Sequence, residues 1–110
     1  MTEPTLHIAV STDSSVTGSD GLTAHVQEVV TAALQNTGAR ITRVEVHLSV
    51  TNAGKGGSDD KRCMMEARLQ GRQPTAVTHE AATVEQAVKG AADKLKRALE
   101  TIVGRLGLDR

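Results

Sequence analysis

The chain has no phenylalanine, tyrosine or tryptophan. A core without rings must be assembled from Val, Leu, Ile, Ala and Met, so it should be thin. The same absence removes the stacking side chains on which most binders of single-stranded nucleic acid rely. A single cysteine, Cys63, cannot close an internal disulfide, a usage that fits a reducing cytoplasm. No apolar run approaches the roughly 20 residues of a membrane-spanning helix. Leu6–Val10 is too short for the apolar part of a signal peptide, and no basic leader precedes it. Positive charge is missing from the first third: residues 1–39 hold no Lys or Arg and four acids, Glu3, Asp13, Asp20 and Glu28. Over the whole chain 13 basic and 13 acidic side chains cancel. Nucleic-acid binders are usually basic overall, so this balance argues against a free-standing, high-affinity RNA binder while leaving room for a local basic stripe. Catalytic signatures are missing as well, with no G-x-S-x-G, phosphate loop, H-E-x-x-H or dinucleotide fingerprint.

What is present is period. Leu6, Ile8 and Val10 alternate with polar or small residues, the mark of a half-buried strand. Ser19 or Asp20 can cap a helix whose stripe is Leu22, Val26, Val29, Val30, Ala33 and Leu34, with Gly38 a suitable C-terminal cap. A second strand is expected from about Ile41 to Thr51 and a third from about Lys61 to Gln70. The third carries Cys63, Met65, Ala67 and Leu69 on its apolar side. Between them Asn52–Asp60 is Gly-rich and polar, a flexible loop. After the turn at Gly71–Pro74 a weaker strand covers Thr75 to Ala81, with Val77 facing inward. Thr83 and Gln86 form a capping box for the last helix. In that helix Val84, Ala87, Val88, Ala91, Leu95, Ala98, Leu99, Ile102 and Leu106 make one apolar stripe, opposite Lys89, Asp93, Lys96, Arg97 and Glu100.

The expected fold is α+β, ordered β-α-β-β-β-α: a four-stranded sheet with two helices packed on one face. Strands joined through a helix should be parallel, and the following three antiparallel. A ferredoxin-like fold would need one more strand, and only four residues follow Leu106. The 110 residues read as one domain, with tails at 1–5 and 107–110.

Three segments carry a resemblance. Ala87-Val88-Lys89-Gly90-Ala91-Ala92-Asp93-Lys94-Leu95 resembles the run in the last helix of the ribosome hibernation-promoting factors, also called ribosome-associated inhibitors or ribosomal subunit interface proteins. Arg40–Leu48 is similar to that family's second strand and Lys61–Leu69 to its third; the likeness extends over roughly Leu6 to Val103. It implies a non-enzymatic cytoplasmic protein that binds the small ribosomal subunit and its rRNA and promotes ribosome dormancy under stress or in stationary phase. No cofactor, metal, small-molecule substrate or membrane is expected. The sequence departs from the family in having no basic residue in its first helix, Glu85 near the place of an aromatic, and no long C-terminal extension; it reads as a short form. The alternative is a small interaction module of the same fold that homodimerises through its sheet and does not bind ribosomes.

Candidate contact residues follow from spacing combined with that resemblance. Lys94, Arg97 and Arg105 form a stripe on one flank of the last helix, and neither Lys94 nor Arg105 has an acid four residues away. Lys89 and Lys96 share the exposed face with Asp93 and Glu100, at a spacing that permits ion pairs. A secondary set, Arg43, Lys61, Arg62 and Arg68, lies on the sheet, where cross-strand charge pairs with Glu45 and Glu66 are the competing expectation. His7, His25, His47 and His79 are scattered without the spacing of a zinc site. Gly54-Lys55-Gly56-Gly57-Ser58 lacks the spacing of a phosphate loop and reads as a connector.

Overall fold

The computed structural model describes residues 7–12, 20–35, 37, 40–51 and 60–106, with only the backbone of Thr51, Asp60, Arg105 and Leu106. The expected tails, the cap at Ser19, Gly38 and the Gly-rich loop with Lys55 lie outside the described residues. The order is β1 (Ile8–Thr12), α1 (Asp20–Leu34), β2 (Ile41–Thr51), β3 (Asp60–Leu69), β4 (Thr75–Ala81) and α2 (Val84–Leu106). The expected order of elements therefore holds. The one notable shift is in β1, whose described part runs on through Ser11 and Thr12, because both remain paired to β2 opposite His47 and Leu48.

The sheet order is β1-β2-β3-β4. β1 is parallel to β2, with Ile8 opposite Val44, while β2–β3 and β3–β4 are antiparallel. The β2–β3 register slips between Ile41 and Arg43, and there the Thr42 hydroxyl donates to the Arg68 carbonyl at 3.1 Å. Such a bulge adds local twist. Gly71, at φ +73°, makes the turn into β4, and the Arg72 amide donates back to the Leu69 carbonyl at 3.2 Å. A side chain would be strained in that left-handed conformation.

Strand alternation sorts the sheet into two faces. Val44, Val46 and Leu48 of β2 and Cys63, Met65 and Ala67 of β3 are buried under the helices. From α2 come Ala87, Val88, Ala91, Leu95 and Leu99, and from α1 Val26, Val30 and Leu34, in one continuous cluster. Leu95 and Leu99 are fully buried with Val44, Val46 and Met65, as their stripe predicts. At the start of α2 the Gln86 amide donates to the Thr83 hydroxyl at 3.1 Å, which is the N-cap. α1 ends on a different device: Thr37, itself buried, donates its hydroxyl to the Leu34 carbonyl at 3.1 Å.

The two helices are not seated alike. α2 lies over β3 and β4, and α1 meets α2 while touching β1 only slightly. Gly90 explains part of the closeness of α2: a methyl at that position would fall inside the imidazole of His79 on β4. Glycine costs a helix interior about 1 kcal/mol relative to alanine, and here it permits a ring to lie against the helix backbone.

Candidate functional site

The basic side chains of α2 differ in what already occupies them. Asp93 pairs with Arg97 at 3.2 Å, and the expected Lys89–Asp93 and Lys96–Glu100 pairs do not form. Lys94 forms no ion pair among the described residues, in keeping with its spacing, yet its amine is engaged: Nζ donates to the Thr78 carbonyl of β4 at 2.9 Å. Lys89 and Lys96 are thus the two α2 cations with a described side chain and no partner among the described residues. They stand seven residues apart, two helical turns on one flank. Between them and α1 runs a shallow groove of about 470 Å³ floored by Val29, Ala32, Ala33 and Ala92. Arg105 continues the helix, with its side chain outside the described set.

The uncovered face of the sheet carries charge of both signs in rows set by the register. Glu45 and Glu66 sit directly opposite one another, and Arg43 faces Arg68 in the next row. Like charges placed so repel, and the rows neutralise each other along the strands instead. Arg43 Nε donates to Glu45 Oε2 at 2.9 Å, and Arg68 Nη2 lies 4.0 Å from Glu45 and 3.9 Å from Glu66. His47 Nε2 is 3.7 Å from the other Glu45 oxygen. The hydrogen bond from Arg43 is the main reason that the Glu45 carboxyl is held below its ordinary value of 4.5; partial desolvation opposes it and the charges of Arg43, Arg68 and His47 assist. On the far side Arg62 binds Glu80 of β4 through both Nε and Nη2, at 3.1 and 3.0 Å. The secondary candidates Arg43, Arg62 and Arg68 therefore all have carboxylate partners, across strands for Arg62–Glu80 and Arg68–Glu45 and within a strand for Arg43–Glu45 and Arg68–Glu66. Lys61 is half-buried and alternates with Cys63 and Met65, on the other side of β3.

Nothing among the described residues is arranged for metal or thiol chemistry. No group of three His, Cys, Asp or Glu converges on a point. Cys63 is buried in the core, and desolvation pushes its thiol up to about 12, which leaves it protonated and inert at neutral pH. His25 is half-buried on α1, and its Nε2 has no hydrogen-bond partner. No described helix is long and apolar enough to cross a membrane.

On this α+β scaffold, α2 thus presents Lys89 and Lys96 without partners among the described residues. Residues 9–106 match the model of the sigma 54 modulation protein / S30EA ribosomal protein family. The chain belongs to that family. Two solved structures of similar fold are the N-terminal domain of Protein Y from Thermus thermophilus and a ribosomal subunit interface protein from Coxiella burnetii. Each is 15% identical, and the match covers 90% of this chain and 99% of the other, with TM-scores of 0.69 and 0.74. At that identity the likeness speaks for the fold. No curated protein is similar enough to count as a match. Within the family frame, the residues that spacing alone could not rank are Lys89 and Lys96. Their candidate acids lie at the right separation, and only the side-chain geometry shows Asp93 turned to Arg97.

Proposed function

We propose that this protein associates with the ribosome and lodges α2 against the rRNA of the small subunit, promoting dormancy of the ribosome by occupancy and without catalysis. The family match over residues 9–106 carries the reading. The charge left available on α2 supports the choice of face: Lys89 and Lys96 have no partner among the described residues, Arg97 has a solvent-exposed pair to Asp93, and Lys94 lies on the neighbouring flank with Arg105 further along the helix. An exposed pair such as Arg97–Asp93 is worth at most about 1 kcal/mol, so a phosphate can displace the carboxylate. Arg43, Lys61, Arg62 and Arg68 are second in line, since three of the four would first have to leave carboxylates. Recognition would rest on phosphate positions and shape, because the chain has no aromatic side chain to stack on a base. The ribosome places such a protein in the cytoplasm.

The test is sedimentation with purified ribosomes through sucrose gradients at two salt concentrations. With roughly three to five phosphates neutralised, affinity should fall between about tenfold and several-hundredfold from 50 to 200 mM salt. Lys89→Glu/Lys96→Glu should remove the protein from the ribosomal fractions and leave its thermal midpoint within a few degrees, as exposed substitutions usually do. A wild-type protein that stays at the top of the gradient in low salt sinks the proposal.

A further inference from the structure

The two edges of the sheet are finished differently. At the β4 edge α2 lies close by, and Lys94 takes up the Thr78 carbonyl. At the β1 edge the Val44 amide donates to the His7 carbonyl at 2.9 Å, in a parallel register that sets Ile8 opposite Val44 and Val10 opposite Val46. In such a ladder, alternate residues of the edge strand direct both backbone groups away from their neighbour. Those of Ile8 and Val10 therefore point outward. The Ile8 carbonyl receives the Gln27 side-chain amide of α1 at 3.2 Å. The Ile8 amide and both groups of Val10 have no partner among the described residues.

Beside this edge lies an open groove of about 910 Å³ between β1 and the outer stripe of α1, from Ala24 through Gln27, Glu28 and Thr31 to Gln35. Of β1 itself the groove borders Ile8, with His7 just before it, so it opens beside the start of the strand. Among its described lining residues Glu28 is the one carboxylate, His7 the one imidazole, and none is Lys or Arg; no Lys or Arg occurs anywhere in the first 39 residues.

We propose that the β1 edge is a docking site for an extended, lysine- or arginine-bearing peptide segment, which adds as a fifth strand beside β1 and under the flank of α1. Strand addition draws its affinity from backbone hydrogen bonds and its selectivity from alternate side chains. The outward groups of Ile8 and Val10 supply the first. Glu28 supplies the second, offering its carboxylate to a cationic side chain of the guest along a wall whose described residues include no Lys or Arg. This surface is distinct from the cationic flank of α2, so the two could be occupied together.

The test is an amide NMR titration of the full chain with a six-residue peptide of alternating lysine and valine. Its glutamate-for-lysine counterpart and a version N-methylated at alternate backbone positions serve as controls. Saturable shifts at Ile8, Val10 and the α1 stripe are expected, together with slowed exchange of the Ile8 and Val10 amides. The two controls should bind far more weakly. Val10→Pro removes an outward N–H without touching a β1–β2 hydrogen bond, though it also trims the partly buried Val10 side chain, so with the fold checked by its amide spectrum it should weaken binding roughly three- to tenfold. Glu28→Lys, on the exposed side of α1, should exchange the preference of the lysine peptide for that of the glutamate peptide. Equal binding of the N-methylated peptide would show a contact of charge alone and overturn strand addition, as would shifts confined to α2. Concentration-dependent protection of Val10 without any peptide would assign the edge to a second copy of the chain and equally overturn the proposal.

Discussion

The half of the molecule under α2 and the half under α1 rest on one sheet and are built to different standards. α2 seals β3 and β4: Leu95 and Leu99 are fully buried, Gly90 lets the His79 ring against the helix, and Lys94 covers a carbonyl of the strand edge. It also carries every cation that a helix of this chain possesses. α1 is anchored by Val26, Val30 and Leu34, carries no Lys or Arg, and leaves a groove beside Ile8 at the start of β1. The closer packing of α2 fixes the positions from which its cations project, and the looser seat of α1 leaves room at the opposite edge.

The sharpest way to break this comparison is to cut into both halves equally. Leu95→Ala should cost about 2–5 kcal/mol in urea unfolding, the usual toll for a core leucine. Val30→Ala, equally buried, removes only two methyl-sized groups and should cost about 1.5–2.5 kcal/mol. If the valine proves as costly as the leucine, α1 is as firmly built into the fold as α2.

A smaller effect tests the closeness of α2 to β4. Gly90→Ala should gain helix propensity and lose more to the displaced imidazole, for a net cost of about 1–2 kcal/mol. In a His79→Ala background the same change should become stabilising by about 1 kcal/mol, since only the propensity remains. A cost unchanged by the removal of His79 would mean that the ring is not what keeps position 90 small.

The smallest effect belongs to the uncovered sheet face, where it is read as a titration. Arg43→Ala should raise the Glu45 midpoint toward its ordinary 4.5, followed through the side-chain carboxyl by NMR. The sign follows from the lowered folded-state value: the pairing contributes to stability above about pH 4.5 and loses that contribution as pH falls through the folded midpoint. An unmoved midpoint would give the main role to Arg68 and His47 in place of Arg43.

Much of this protein was legible before any coordinates. The alternation in Val44–Val50 and the stripe from Val84 to Ile102 announced which side of each element would be buried, and Thr83 with Gln86 announced where the last helix begins. The cationic residues were legible as a set and not as a ranking. Lys89, Lys96 and Arg97 all stand four residues from an acid, and sequence spacing treats the three alike. Lys94 had no acid in reach by that arithmetic, and its partner is a carbonyl from a strand sixteen residues away. Gly90 read as an ordinary small residue of the helix until His79 was seen against it.

By itself the sequence determined the elements, their order, the face each one buries and the family to which they belong. Those depend on local period, capping residues and the length of connections, all of which are properties of neighbouring positions. Only the tertiary structure decided which cations stay available, how each sheet edge is finished and why position 90 holds glycine. Each of those turns on where side chains settle once the elements pack: Asp93 turns to Arg97, Lys94 reaches a carbonyl of β4, and the His79 ring lies against position 90.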